Sequence, residues 1–267
     1  MIEIHYLSIL SCFLLILSAP ALISGGELGD GFTQIFQDDF NADKLRPQDW
    51  SPSLWGTGTI TIRDGYLFLN ISNRTTRFDT NSVVVFTNKN TRYGCLEIRL
   101  RCGDDNKLES KIGGGWRHWG FAESWDNYLN FQILSPEAEP EWVGFWGAHR
   151  ENTGPMHWEP ISGIDVTQWH NYTIIWKPGN TTFLVDSEVV AVTEVNPTKD
   201  MGLGIEISNG VLIKHIGNTP YEIKRLDIPY NLYIQIDYVK LFRIPEPILL
   251  SILVLLLPVP FVKRIVL

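Results

Sequence analysis

A chain of 267 residues is long enough for one large or two small domains, and an all-β sandwich of this size fits a single domain. The formal net charge of -8 leaves no excess of Lys and Arg of the kind that phosphate binding needs, so nucleic acid is excluded as an expected partner. Ten Trp point two ways, to a bulky core and to flat rings on which sugars stack.

Residues 1–25 read as an export signal. Ile9 to Leu17 is apolar except for Ser11 and Cys12, and Ala19-Pro20-Ala21 offers a small-residue cleavage site. Residues 26–243 form the body. Phe32 to Phe40 opens it as a strand. Thr59 to Arg63 and Tyr66 to Ile71 make a hairpin around Asp64-Gly65. Asn81 to Thr87 carries the β-branched run Val83-Val84-Val85. Tyr93 to Arg101 alternates, with Leu96, Ile98 and Leu100 on one face and Glu97, Arg99 and Arg101 on the other. Trp116 to Phe121 follows a glycine run. Tyr128 to Ser135 alternates again: Leu129, Phe131 and Ile133 share one face, Asn130 and Gln132 the other.

Trp142 to His149 is the next strand, and Glu151 to Gln168 reads as a long irregular connection. Asn171 to Trp176, Thr182 to Val185, Glu188 to Thr193, Met201 to Ser208 and Leu232 to Phe242 complete the set. No amphipathic helix of useful length appears. Many short strands with regular turn signals make the body all-β, a sandwich or a barrel.

Residues 244–267 read as a hydrophobic anchor or sorting tail. Ile248 to Val262 is apolar apart from Ser251, and Lys263-Arg264 follows. At about 1.5 Å per residue the run falls short of the roughly 30 Å hydrocarbon layer unless Ile265 to Leu267 also enter. Pro258 and Pro260 weaken it as a helix. Basic residues after the run set the tail's end on the cytoplasmic side and the body outside. Pro245-Glu246-Pro247 before the run resembles the PEP-CTERM type of sorting signal. The expected location is extracellular or at the cell surface, with the membrane as a partner through this tail. Cys95 and Cys102 would point to opposite faces of one strand, beyond disulfide reach unless the chain bends near Gly103, and are expected as buried or free thiols. Asn70, Asn73, Asn171 and Asn180 each begin an Asn-x-Ser/Thr sequon.

The order of these segments resembles the concanavalin A-like lectin/glucanase group, and within it glycoside hydrolase family 16 of the laminarinase type. The resemblance runs through Phe36-Gln37-Asp38-Asp39-Phe40, Asp64-Gly65-Tyr66-Leu67-Phe68-Leu69, Tyr93-Gly94-Cys95-Leu96-Glu97-Ile98-Arg99, Trp169 to Trp176, Phe183-Leu184-Val185-Asp186 and Ile236 to Phe242. It implies a jelly-roll sandwich of two curved antiparallel sheets with a sugar groove on one face. It also implies the catalytic motif Glu-x-Asp-x-x-Glu, whose positions here hold Asn130, Gln132 and Ser135. A retaining glycosidase needs two carboxyl groups about 5–5.5 Å apart, and amides and a hydroxyl supply none. They can donate and accept hydrogen bonds to sugar hydroxyls.

The expected carbohydrate-binding set is Asn130, Gln132, Trp116, Trp119, Trp142, Trp146, Arg99 and Glu206, with no catalytic residue. Glu206 enters because it is out of phase with Ile205 and Ile207. The histidines form no zinc-type pair and read as structural or surface residues. No cofactor is required. The resemblance implies a structural calcium at Asp237, with a plain edge hydrogen bond as the alternative. Three functional readings follow: an exported glycan-binding protein that does not cleave, a glycoside hydrolase or transglycosylase with relocated carboxylates, and a structural surface protein.

Overall fold

The computed structural model describes residues 31–71, 82–104, 116–124, 127–134, 143–149, 156–208, 210–214, 222–225 and 232–244. The export signal, the carboxy-terminal run and its Pro-Glu-Pro motif lie outside the described residues, as do Trp142 and Ser135.

Two sheets carry the fold, and every strand pairing is antiparallel. One has eight strands: β1 (Thr33–Asp38), β3 (Gly58–Arg63), β4 (Tyr66–Ile71), β6 (Gly94–Asp104), β11 (His170–Lys177), β12 (Asn180–Val185), β13 (Glu188–Thr193) and β17 (Leu232–Arg243). Their order is β13-β12-β11-β6-β17-β4-β3, with β1 also paired to β17. The other has seven: β2 (Trp50–Trp55), β5 (Ser82–Thr87), β7 (Trp116–Ser124), β8 (Asn127–Leu134), β9 (Val143–His149), β10 (Met156–Ile161) and β14 (Gly202–Ser208), in the order β10-β9-β8-β7-β14-β5-β2. A separate ribbon joins β15 (Gly210–Lys214) to β16 (Glu222–Arg225). Among the described residues there is no helix. This is the two-sheet jelly-roll sandwich that the family resemblance implied, and one of the two all-β forms, sandwich or barrel, that the strand pattern allowed.

The core lies between the sheets because each strand turns its apolar alternate residues inward. The seven-stranded sheet contributes Val83 and Val85, Trp119 and Phe121, Leu129 and Phe131, and Ile205 and Ile207. The eight-stranded sheet answers with Leu96, Ile98, Leu100, Tyr172, Ile174, Phe183, Ile234 and Leu241. Aromatic rings lock the two together. Phe131 meets Tyr172 at 5.0 Å and Phe183 at 5.3 Å between centroids, both edge to face.

In β17 the register shifts between Ile236 and Tyr238. The bulge reverses the phase, so that Ile234 and Ile236 before it and Val239 and Leu241 after it all reach the core. Asp237 sits at that bulge. Cys95 and Cys102 are free and buried, and burial pushes both thiols up, Cys102 to about 12.

Four strands were not legible. β2 contains Pro52, which reads as a strand breaker, but β2 is an edge strand and Pro52 is tolerated there. β10 falls within Glu151 to Gln168, read from sequence as an irregular connection; it pairs with β9 across six residue positions. β15 and β16 are too short for a clear period.

Candidate functional site

Directly opposed residues of an antiparallel pair project to the same face. On the outer face of the seven-stranded sheet this rule builds a transverse polar row. His118 of β7 is opposite Gln132 of β8 on one side and Glu206 of β14 on the other. Asn130 lies two residues along β8 from Gln132, opposite Gly120. Gly120 is needed there, because a Cβ would stand 2.2 Å from the Leu129 carbonyl oxygen and 2.7 Å from the Asn130 Cβ.

These polar side chains are almost fully enclosed: Asn130 is 4% exposed, Gln132 3%, His118 8% and Glu206 5%. Burial of this degree sets their protonation. Glu206 has one oxygen 3.4 Å from the Ser82 hydroxyl, which donates to it, and the other 3.4 Å from His118 Nε2. Burial raises the Glu206 carboxyl to about 7, against a smaller lowering by the Ser82 hydrogen bond. Burial also lowers His118 to about 4. Near neutral pH the row therefore holds a neutral imidazole and a carboxyl that burial biases toward its protonated form. The Asn130 Oδ1 is buried with no hydrogen-bond partner among the described residues. An enclosed amide oxygen without a donor costs about 1–3 kcal/mol, a cost that a hydroxyl placed beside it would remove.

The structure brings Asn130, Gln132 and Glu206 together on this face, and adds Ser82 and His118, the latter read from sequence as a structural or surface residue. The signal for His118 was its phase. It alternates with the inward Trp119, but nothing local says that Glu206 is its neighbour. Of Trp116 and Trp146 the register is described. Trp116 is opposite Ser208 and Leu134, and Trp146 is opposite Asn130 and Trp158.

Two expected members stand elsewhere. Trp119 is fully buried between the sheets, stacked on Phe131 at 6.2 Å and edge to face with Tyr172 at 4.9 Å. Trp116 stands three positions before it, an odd offset, so the two-residue period assigns the two positions to opposite faces of β7. Arg99 lies on β6 in the other sheet. Its guanidinium pairs with Asp237 at 2.5 Å and lies 5.3 Å from the centroid of the Trp169 ring. Its polar face is the outer surface of the eight-stranded sheet, across the core from Asn130.

The same pairing bears on calcium. A divalent ion at Asp237 would need several oxygen ligands and would face the Arg99 charge at close range. No cluster of three His, Cys, Asp or Glu that could hold a metal stands anywhere among the described residues. The cation at this carboxylate in the structure is Arg99.

Among the described side chains of the outer face, Glu206 is the sole carboxylate. The row can hold hydroxyl groups through amides, an imidazole and a carboxyl. It contains no pair of carboxylates for nucleophile and acid.

Comparison with known proteins agrees with this architecture. The profile of the family described as "Glycosyl hydrolases family 16" matches residues 156–209, from β10 through β14. A structure from work on endo-acting O-glycanases that human gut microbiota express to initiate mucin breakdown superposes with TM-score 0.60 at 16% identity, covering 78% of this chain and 98% of that one. The catalytic domain of an endo-1,3-β-glucanase (laminarinase) from Thermotoga petrophila RKU-1 gives TM-score 0.57 at 12% identity, covering 80% and 99%. A GlcNAcα1-4Gal-releasing endo-β-galactosidase from Clostridium perfringens gives 0.56 at 17%, covering 82% of this chain and 64% of that protein. No curated protein sequence matches the chain. The chain thus has a jelly-roll fold like that of glycoside hydrolase family 16.

Proposed function

We propose that this protein binds a polysaccharide or glycan along the outer face of its seven-stranded sheet and does not cleave it by the two-carboxylate route. One observation carries the reading. Asn130, Gln132, His118 and Glu206 form a single enclosed polar patch with one carboxylate, and the Asn130 Oδ1 has no donor among the described residues. Sugar hydroxyls are donors and acceptors at once, so they suit such a patch. The structural neighbours include an endo-acting O-glycanase of mucin breakdown, an endo-β-galactosidase and an endo-1,3-β-glucanase, which supports the ligand class. The apolar run at residues 9–17 and the tail after Pro245-Glu246-Pro247 support export and attachment at the cell surface.

The full-length protein should bind at least one member of a panel containing laminarin, mixed-linkage β-glucan, galactan and mucin O-glycans. It should release no reducing ends from that member. Asn130→Ala should weaken binding about tenfold, because the hydroxyl then loses its acceptor. Absence of binding across the panel would sink the reading.

A second reading is favoured by the Glu206 carboxyl. A general acid for glycoside cleavage must hold a proton near neutral pH, and burial gives Glu206 that property. Release of reducing ends that Glu206→Gln abolishes would establish the hydrolase in place of the binder.

A further inference from the structure

Resting on the glycan-binding reading above, we propose that Phe86, seated over Gly204, is the stacking ring of a subsite for one neutral hexopyranose unit. The row next to Glu206 and His118 runs Phe86, Gly204, Gly120, Asn130 across β5, β14, β7 and β8. Its two middle members carry no side chain. Phe86 and Asn130 therefore face each other over bare backbone, across three strand spacings or about 14 Å.

The glycines are there for close approach. A Cβ on Gly204 would stand 2.9 Å from Phe86 Cε1 and 3.1 Å from Cδ1, so the ring reaches over that glycine. Every other residue of β5 is buried, whereas Phe86 keeps part of its surface open. An aromatic ring that leans across the sheet, away from the core, offers its flat surface to the apolar face of a sugar. On the opposite wall stands Asn130, whose Oδ1 is buried with no hydrogen-bond partner among the described residues. Glu206 and His118 border one side of it with polar atoms. One wall for C–H stacking, one acceptor and a polar rim, with no cation among the described side chains of the strip, suit a neutral pyranose.

The test uses the full-length protein and calorimetric titration with laminaritetraose, cellotetraose, galactotetraose and tetragalacturonate. Against the tightest neutral binder, Phe86→Ala should lose about tenfold in affinity, and Phe86→Trp should stay within about twofold of the parent. Gly204→Ala should match the loss, because its methyl group displaces the ring; added to Phe86→Ala it should cost nothing more. Circular dichroism and thermal unfolding check folding, and if Phe86→Ala does not fold, Phe86→Leu replaces it, keeping bulk without a ring. Parent binding that Phe86→Ala or Phe86→Leu leaves intact overturns the subsite alone. A loss that Phe86→Trp does not restore also overturns it. Tighter binding of tetragalacturonate overturns the neutral class, and no binding of any probe overturns the subsite together with the reading beneath it.

Discussion

Glu206 and His118 face each other on neighbouring strands, with carboxyl oxygen and imidazole nitrogen 3.4 Å apart and both side chains enclosed. Neither is placed to be charged cheaply. Burial favours the neutral form of each, which is why the acid moves up and the base moves down. The pair is thus two hydrogen-bonding groups more than an ion pair near neutrality, and that suits an uncharged ligand.

Opposite shifts give opposite pH dependences. Glu206 has a folded pKa of about 7 against an ordinary 4.5, so its contribution to stability is full below 4.5 and is lost as pH rises through 7. His118 has a folded pKa of about 4 against an ordinary 6.5, so its contribution is full above 6.5 and is lost as pH falls through 4. Between these limits the two slopes largely cancel. Glu206→Gln removes only the first. Relative to the parent, the variant should gain on the order of 3 kcal/mol between about pH 4 and pH 8. Urea unfolding at both pH values measures the difference; a constant offset would refute the placement of Glu206 in an enclosed site.

Trp119 fills the space between the sheets, so it should behave as a core residue. Trp119→Ala should cost about 3–5 kcal/mol in denaturant unfolding. Trp119→Phe should cost less, because the buried indole N–H has no hydrogen-bond partner among the described residues and its loss is no penalty. Glycan affinity of the folded Trp119→Phe protein should equal that of the parent. A selective loss of affinity would mean that the ring reaches the ligand.

Arg99 supplies the positive charge at Asp237, so divalent cations should be irrelevant to stability at this bulge. The melting temperature of the full-length protein should be the same with calcium and with EDTA. Arg99→Leu should cost about 1 kcal/mol or less, since both partners are partly exposed. A melting temperature raised by calcium in the parent would show that a metal site exists after all.

Much of the fold was legible because β structure writes itself locally, as alternation with period two. The inward set Leu96, Ile98, Leu100 and the outward pair Asn130 and Gln132 follow from that period alone. So does the separation of Trp116 from Trp119, which the residue count between them already implied. The bulge at Asp237 was not legible, because one extra residue changes phase without any compositional mark. Nor was β2, whose Pro52 is acceptable only because the strand ends its sheet.

By itself, the sequence determined which residues could face outward, the amides Asn130 and Gln132 among them. Only the tertiary structure decided which outward residues share a face. Arg99 and Asn130 have the same alternating signature, yet they lie on opposite surfaces of the sandwich. Glu206, His118 and Gln132 come from three strands and meet because β7 pairs between β14 and β8. Strand order is a matter of long-range pairing and burial, which a two-residue period cannot encode. The protonation of Glu206 belongs to the same level, since it follows from enclosure by neighbours distant in the chain.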